Sequence, residues 1–176
     1  MSGAIETRKK ELQAKLAASA DGILESMARE QGLSLLDVVE CLPQTMWSAA
    51  PGSHFVEVMQ ELATWGEMTV IVHTQDVIME FVGPVPNGRV GGGFYNFQGS
   101  KGLTGHLYAD HCAKIVFLRR PFMKKATAAV VFFNGEGACM FKVYVGRDEN
   151  RELRADQLER FAALEAKLAG AGRLAS

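Results

Sequence analysis

Hydrophobic residues recur at helical spacing through the first third of the chain. Leu12 and Leu16 lie one turn apart, and a second apolar group follows over residues 23–28, with polar residues between them. Such spacing is typical of helices that bury one face. The pattern predicts three short helices before Pro43 and a fourth over residues 53–65.

Polar residues and a glycine mark where these helices begin and end. Ser19 and Asp21 are the predicted N-caps of the second helix, because short polar side chains accept hydrogen bonds from the first backbone N–H groups of a helix. Gly32 is the predicted C-terminal stop. Ser34 is the next predicted N-cap, with Asp37 at the third helical position. Two short helices separated by a tight turn are therefore expected here.

The pattern changes to short β-branched or aromatic runs after the fourth helix, which is typical of strands. Turn residues at Pro86–Gly88, Gly99–Gly102 and Asn134–Gly137 separate several of the runs, so consecutive strands are predicted to pair as antiparallel hairpins. The predicted strands cover residues 68–73, 77–82, 94–97, 103–108, 113–118, 128–133 and 138–145.

These elements predict an α+β fold with N-terminal helices, a long antiparallel β-sheet meander and a C-terminal helix. We expect a single domain over residues 1–176, since its length is typical of one domain. Within it, residues 1–65 are the predicted helical segment, residues 66–146 the antiparallel sheet and residues 151–169 the C-terminal helix.

Composition narrows the class of protein. Hydrophobic residues make up 48% and charged residues 22%, as in ordinary globular domains. The formal charge is -1, so no positive excess favours nucleic acid. Three cysteines without CxxC spacing suit a reducing compartment, and no run of 18 apolar residues occurs. We therefore expect a cytoplasmic protein that does not insert into a membrane.

The helical pair over residues 23–42 resembles a helix-turn-helix, and a DNA-binding regulator is one interpretation. Its second helix reads LLDVVECL, which has two acidic residues and no Arg, Lys, Asn or Gln to contact bases or phosphates. Plain helix packing is the favoured interpretation.

Two of the four histidines are candidate ligands. Strand alternation places His73 with Thr69 and Ile71 on one sheet face. His106 shares a face with Tyr108, and the glycines that precede it leave room for a large planar ligand. Histidine and tyrosine both serve as axial ligands of heme iron, although structural packing explains many such residues.

Two further groups carry weaker signals. His111 and Cys112 follow His106 closely, but their spacing matches no standard zinc pattern. Arg119 belongs to a group of four cations around Pro121 that could meet carboxylates. Such a run is more often a solvated strand end.

Three segments together resemble the HutX/ChuX type of intracellular heme utilisation carriers. They are TVIVHTQDVIMEFVGPVPNG, GFYNFQGSKGLTGHLYADHC and AAVVFFNGEGACMFKVYVGRDENREL, and with LSLLDVVECLP they extend over most of residues 20–160. The resemblance implies a cytoplasmic homodimer that binds heme and is similar to one half of the larger HemS-type proteins. It also implies that heme passes to a downstream heme-processing protein.

The resemblance assigns heme-binding roles to particular residues. Histidines in the motifs VHTQDVIMEF and GLTGHLYADHC correspond to His73 and His106, the expected iron ligands, of which one should dominate. A tyrosine in the FYN-type segment corresponds to Tyr95. Apart from the resemblance, a heme site needs apolar walls and positive charge for the propionates, so Phe94 is an expected wall and Arg119 an expected partner for the propionates. Phe81, Met79, Phe97 and Lys101 are further possible contacts.

Two alternatives to a carrier remain open at this point. Since the duplicated relatives are linked to heme degradation, the protein could be an enzyme that degrades heme or releases iron, although the chain has no motif for binding a reductant. A heme-responsive helix-turn-helix regulator is the second alternative. A carrier without enzymatic activity is the favoured interpretation.

Overall fold

The computed structural model describes residues 2–169, which form five α-helices and nine β-strands. The helices are α1 (Ser2–Ala18), α2 (Leu24–Gln31), α3 (Leu35–Glu40), α4 (Phe55–Leu62) and α5 (Ala155–Leu168). The strands are β1 (Trp47–Pro51), β2 (Glu67–His73), β3 (Ile78–Pro84), β4 (Gly88–Gly91), β5 (Phe94–Phe97), β6 (His106–Leu107), β7 (Cys112–Phe122), β8 (Lys125–Asn134) and β9 (Cys139–Tyr144). The predicted α+β class is confirmed. The other residues of the expected 1–176 domain lie outside this range.

Six strands form the main antiparallel sheet, in the order β1-β7-β8-β9-β2-β3. The longest pairing joins β7 and β8 through a tight turn at Met123 and Lys124, both of which have positive φ. The predicted Asn134–Gly137 turn links β8 to β9, and the side chain of Asn134 accepts hydrogen bonds from Glu136 and Ala138. Strands β1 and β3 are therefore the two edges of this sheet.

The remaining strands form a separate sheet in the order β4-β5-β6. The hairpin between β4 and β5 turns at Gly92 and Gly93, whose φ angles of 61° and 85° favour glycine. The predicted Gly99–Gly102 connection joins the paired strands β5 and β6. The Pro86–Gly88 prediction is corrected, because this turn leads from β3 in the main sheet to β4 in the small one.

Each face of the main sheet packs on its own layer. One face meets α4, α5 and the small sheet in a core that contains Phe55, Phe132 and Phe161. The other face meets α1–α3, mainly through Val116 and Val131 on the central strands. Burying these apolar side chains supplies the main driving force for folding. The helix-turn-helix pattern of the sequence is thus part of this second core.

The predicted stop of α2 at Gly32 and the predicted cap of α3 are confirmed, whereas the predicted N-cap of α2 needs correction. Gly32 adopts the left-handed conformation after α2, and Ser34 and Asp37 form a reciprocal capping box at the start of α3. The N-cap of α2 is Ile23, without a side-chain cap. Asp21 instead accepts hydrogen bonds from the backbone N–H groups of Met123 and Lys124, because the β7–β8 turn approaches it.

The predicted helical segment over residues 1–65 also contains an unpredicted strand. Trp47–Pro51 pairs with β7, from Leu118 to Lys114. Its five residues include two alanines and a proline, so its strand propensity is low, and pairing with the long β7 decides its conformation. None of the helices over residues 2–169 is long and apolar enough to cross a membrane.

Candidate functional site

Part of the main sheet face beside α2 has no helix over it. Thr69, Ile71 and His73 of β2 lie opposite Val82, Glu80 and Ile78 of β3, so these six side chains share one face. Ile78 and Val82 are 60% and 63% exposed. We call the space between this surface and helices α2 and α3 the open-face cleft. It includes a cavity of about 150 Å³.

Apolar side chains form most of the wall of the open-face cleft. Two neighbouring cavities, of about 640 Å³ and 410 Å³, share residues with the central cavity and extend it along the sheet in both directions. The central cavity is lined by the apolar residues Ile23, Leu24, Leu35, Val39, Ile71, Ile78, Leu118, Phe122 and Val131. A flat, largely apolar ligand suits such a surface.

His73 ends β2 and lies in the open-face cleft on the same face as Ile71, as strand alternation predicted. Its side chain is 18% exposed, and its Nδ1 lies 3.3 Å from Oε1 of Glu25 on α2. Nε2 has no hydrogen-bond partner among residues 2–169. The imidazole can therefore offer a lone pair to a ligand in the cleft while Nδ1 faces a carboxylate.

Glu25 and Lys142 form a buried ion pair next to His73. Burial alone would raise the pKa of Glu25, but the Lys142 ammonium outweighs it and the pKa is lowered. Burial opposes the charge of Lys142, yet Tyr144 and Glu25 raise its pKa. Both groups are thus charged at neutral pH.

Other charged side chains also line the open-face cleft. Arg120 donates to the backbone oxygens of Ala20 at 2.7 Å and Gly22 at 2.5 Å, which fixes the segment that leads into α2. Glu80 lies on β3, and Arg29 lines the neighbouring cavity from α2. The site therefore combines an apolar wall with cations and carboxylates.

His106 lies on the small sheet, in a different environment from His73. Its Nδ1 is 2.6 Å from Oδ1 of Asn96, whose amide nitrogen donates to three backbone oxygens and is thereby fixed. Since the amide oxygen accepts, Nδ1 carries the proton and Nε2 is free to bind a ligand. His106 is not among the residues that line the central cavity of the open-face cleft or the two cavities next to it.

A small group of aromatic rings lies next to His106, with Phe94 half-buried and Tyr108 exposed. The Phe94 ring lies 5.6 Å from the His106 ring and 4.7 Å from the Tyr108 ring. Tyr108 stacks on His111 at 4.6 Å. Within residues 2–169, no group of three or more His, Cys, Asp or Glu is arranged to hold a metal ion, so the zinc interpretation of His106, His111 and Cys112 finds no support.

The structure places Tyr95 and Arg119 away from the open-face cleft. Tyr95 is fully buried, and a side chain on Gly88 would collide with its ring, so the two residues pack directly. Arg119 binds Glu165 at 2.6 Å and lies over the ring of Phe161, on the face covered by α5. Its neighbour Arg120 points to the cleft, since successive side chains alternate along a strand.

Two cysteines, Cys112 and Cys139, have raised pKa values. Burial raises the pKa of Cys112 to about 11 and that of Cys139 to about 12. Cys139 lines the cavity next to His73, yet its thiol stays protonated at neutral pH. A protonated thiol is a poor ligand, since the thiolate is the form that binds metal.

Sequence reasoning missed the partners of His73. Alternation along β9 places Lys142 and Tyr144 on one face, and this signal was available in the sequence. Glu25 has no such signal, because it comes from a helix and meets His73 only through tertiary packing.

Comparison with known proteins finds a family that matches most of the chain. Residues 48–164 match the family described as Haem utilisation ChuX/HutX. The intracellular heme transport protein HutX of Vibrio cholerae is 36% identical over 141 residues, which are 80% of this chain and 73% of that protein.

Solved structures agree with this match. A protein from Erwinia carotovora has a TM-score of 0.86 at 44% identity, covering 89% of this chain and 98% of its own. The heme binding protein ChuX has a TM-score of 0.81 at 39% identity, covering 89% and 97%. Larger heme proteins at 15–17% identity share the fold over 42–47% of their length, as expected for one half of a duplicated protein.

Proposed function

This chain belongs to the ChuX/HutX family of haem utilisation, and we propose that it is a cytoplasmic heme carrier. In this role it binds heme that has entered the cell, shields it from water and passes it to a downstream heme-processing protein. The proposal rests on family membership together with one feature of the site: His73 presents a free Nε2 to an apolar cleft large enough to take part of a planar ring.

The chemistry of the open-face cleft suits heme. A heme needs apolar walls for the macrocycle, an iron ligand and positive charge near its two propionates. Ile71, Ile78 and Phe122 supply walls, and His73 supplies the ligand. Arg29 places a cation at the cleft, whereas the charge of Lys142 is matched by Glu25. Arg29 takes the propionate role that the sequence assigned to Arg119, which is paired with Glu165.

A single iron ligand fits the task of a carrier. His73 lies in the open-face cleft whereas His106 lies beside Phe94 on the small sheet, so His73 is the iron ligand in this proposal and His106 has the smaller role. A heme held by one protein ligand on a partly open surface exchanges more readily than one enclosed between two ligands. Tyr95 supports the small sheet from within the core.

Heme degradation is the less favoured function. The solved structures named for that activity match this chain at 16% and 17% identity, a likeness of fold only. The relatives at 36% identity and above include one described as an intracellular heme transport protein. We therefore assign the chain the role of a carrier without its own chemistry on heme.

The carrier acts as a homodimer in this proposal. At the β3 edge of the main sheet, Val77 of the preceding turn and Ile78, Met79 and Val82 of β3 are 47% to 63% exposed. Apolar side chains together with a strand edge that is unpaired within residues 2–169 form a surface that a second copy can cover.

A hemin titration followed at the Soret band tests the carrier function. We expect saturation at one heme per chain in the unmodified protein. His73→Ala should weaken binding by about tenfold or more and shift the Soret band. His106→Ala should have a smaller effect. His54→Ala is the matched control, since His54 pairs with Glu57 away from the cleft.

Three results would contradict the proposal or part of it. Binding without saturation would remove the carrier function itself. Equal affinity and an unchanged Soret band in His73→Ala would remove the assigned ligand, and a loss in His106→Ala alone would move the site to the small sheet.

A further inference from the structure

Glu25 approaches His73 from a helix whose position is fixed on the sheet. Both side chains are 18% exposed, and Glu25 Oε1 contacts His73 Nδ1 at 3.3 Å and Lys142 Nζ at closer range. Asp21 and Arg120 tie the segment before α2 to the β7–β8 hairpin through hydrogen bonds of 2.5 to 2.8 Å. The carboxylate is therefore held beside the imidazole before any ligand arrives.

A carboxylate at this position changes the chemistry of the imidazole. A histidine that binds a metal through Nε2 keeps its proton on Nδ1, and a carboxylate that accepts this proton in a hydrogen bond makes the ring a stronger electron donor. A stronger donor stabilises Fe³⁺ more than Fe²⁺. His106 lacks this partner, because the oxygen next to its Nδ1 belongs to the neutral amide of Asn96.

We propose that Glu25 is a positioning residue that directs Nε2 of His73 into the open-face cleft and gives the site its preference for ferric heme. The inference rests on the proposed heme site at His73. It assigns a role to α2 beyond packing, since this helix carries the group that sets the donor strength of the ligand. The carboxylate contact distinguishes His73 from His106, which otherwise presents an equally free nitrogen.

Glu25 also neutralises Lys142, and the test must separate the two roles. Glu25→Gln keeps the shape of the side chain but leaves the buried Lys142 ammonium without its counter-ion. Adding Lys142→Met removes that charge, so the double variant has no unpaired ion from the pair. Glu40→Gln is the matched control, because Glu40 forms an ion pair with Lys114 at 2.8 Å away from the cleft.

The experiment loads the purified full chain and these variants with hemin and measures three properties. They are the ferric heme affinity, the iron–histidine stretching frequency of the ferrous form by resonance Raman spectroscopy, and the midpoint potential. In Glu25→Gln and in the double variant we expect about tenfold weaker ferric heme binding. With unchanged ferrous binding, this loss corresponds to a rise in potential of about 59 mV for a one-electron couple.

The spectroscopic signature separates positioning from a general structural effect. The iron–histidine frequency should fall in both variants that lack the Glu25 carboxylate and stay unchanged in Glu40→Gln. Lys142→Met alone should not lower the frequency, because it leaves the carboxylate in place.

The role of Glu25 and the heme site at His73 are contradicted by different results. A double variant with the frequency and potential of the unmodified protein would overturn the role of Glu25, while a loss of affinity in His73→Ala would leave the heme site standing. If the unmodified chain binds no hemin, or if His73→Ala binds it as the unmodified chain does, the heme site and the role of Glu25 both fail.

Discussion

At the scale of single residues, Gln157 ties the C-terminal helix to two other parts of the fold. This fully buried side chain accepts from the N–H of Gly146 at 2.7 Å and donates to the backbone oxygens of Trp65 and Glu67 at 2.9 and 2.8 Å. All of its hydrogen-bonding atoms have partners. Buried polar groups need such partners, because burial removes them from water.

Gln157→Leu is expected to destabilise the protein by on the order of 3 kcal/mol, because it leaves two buried backbone groups and a third, part-buried one without their partner. Urea unfolding followed by circular dichroism measures this change. Gln60→Leu is the control, because Gln60 is exposed on α4, and a change of about 0.5 kcal/mol or less is expected there. Equal effects of the two substitutions would contradict the assigned role.

Residues also show where prediction from the sequence ends. Alternation correctly placed His73 and Ile71 on one face, because neighbours along a strand follow a fixed period. The same rule assigns Arg119 and Arg120 to opposite faces, but it cannot say which face holds the cleft. The contact of Glu25 with His73 depends on how α2 packs on the sheet, which no local pattern contains.

At the scale of elements, one side chain at the start of α3, that of Asp37, takes part both in the helix cap and in an ion pair. Asp37 accepts from the N–H and hydroxyl groups of Ser34, and its other oxygen meets Lys9 of α1. Burial opposes ionisation of Asp37, but the hydrogen bonds from Lys9 and Ser34 outweigh it and lower its pKa. The carboxylate therefore stabilises the folded state when it is ionised, and it links two helices.

Asp37→Asn is expected to cost about 1 kcal/mol at pH 7. A lowered pKa means that this stabilisation is complete above the unfolded value, near 3.8, and is lost as the pH falls through the folded value. The difference in unfolding free energy between the unmodified protein and Asp37→Asn should therefore become smaller below about pH 4. Urea unfolding across pH 3 to 7 measures it. Asp76→Asn, in the exposed β2–β3 turn, is the control. A difference in unfolding free energy that does not change with pH would contradict the stabilising role of the ionised Asp37 side chain.

Element boundaries were predictable where a cap or turn carries its own chemistry. Gly32, Ser34 and Asn134 each form the local structure that their residue types indicate. Strand β1 was missed because its conformation comes from pairing with β7. The Pro86–Gly88 turn was recognised as a turn, but its sequence does not reveal that it connects two different sheets.

At the scale of the whole molecule, the two edges of the main sheet differ. Strand β1 packs near α5, which contributes Glu165 as the acceptor of a hydrogen bond from Ser48. Strand β3 pairs only with β2 among the described strands and exposes large apolar side chains. Exposed edges promote association between chains, so β3 is the expected surface of the homodimer.

Met79→Glu is expected to convert the proposed dimer to a monomer, since it places a charge among the exposed apolar side chains of this edge. Size-exclusion chromatography with light scattering gives the mass directly. Val90→Glu is the control: Val90 is 58% exposed, close to the 60% of Met79, but lies on the small sheet, so this variant should remain a dimer. If the unmodified chain is a monomer, the proposed dimer is wrong. If the Met79→Glu variant is still a dimer, the interface is not at the β3 edge.

The two walls of the open-face cleft come from different elements, and this has a consequence for protein engineering. One wall of the open-face cleft is a rigid β-platform, whereas the opposite wall comes from two short helices, α2 and α3. The core on the other face of the sheet, which contains Phe55, Phe132 and Phe161, includes no residue of α2 or α3. Redesign of α2 and α3 could thus retune the cleft for other flat cargo molecules, with the platform kept as a constant scaffold.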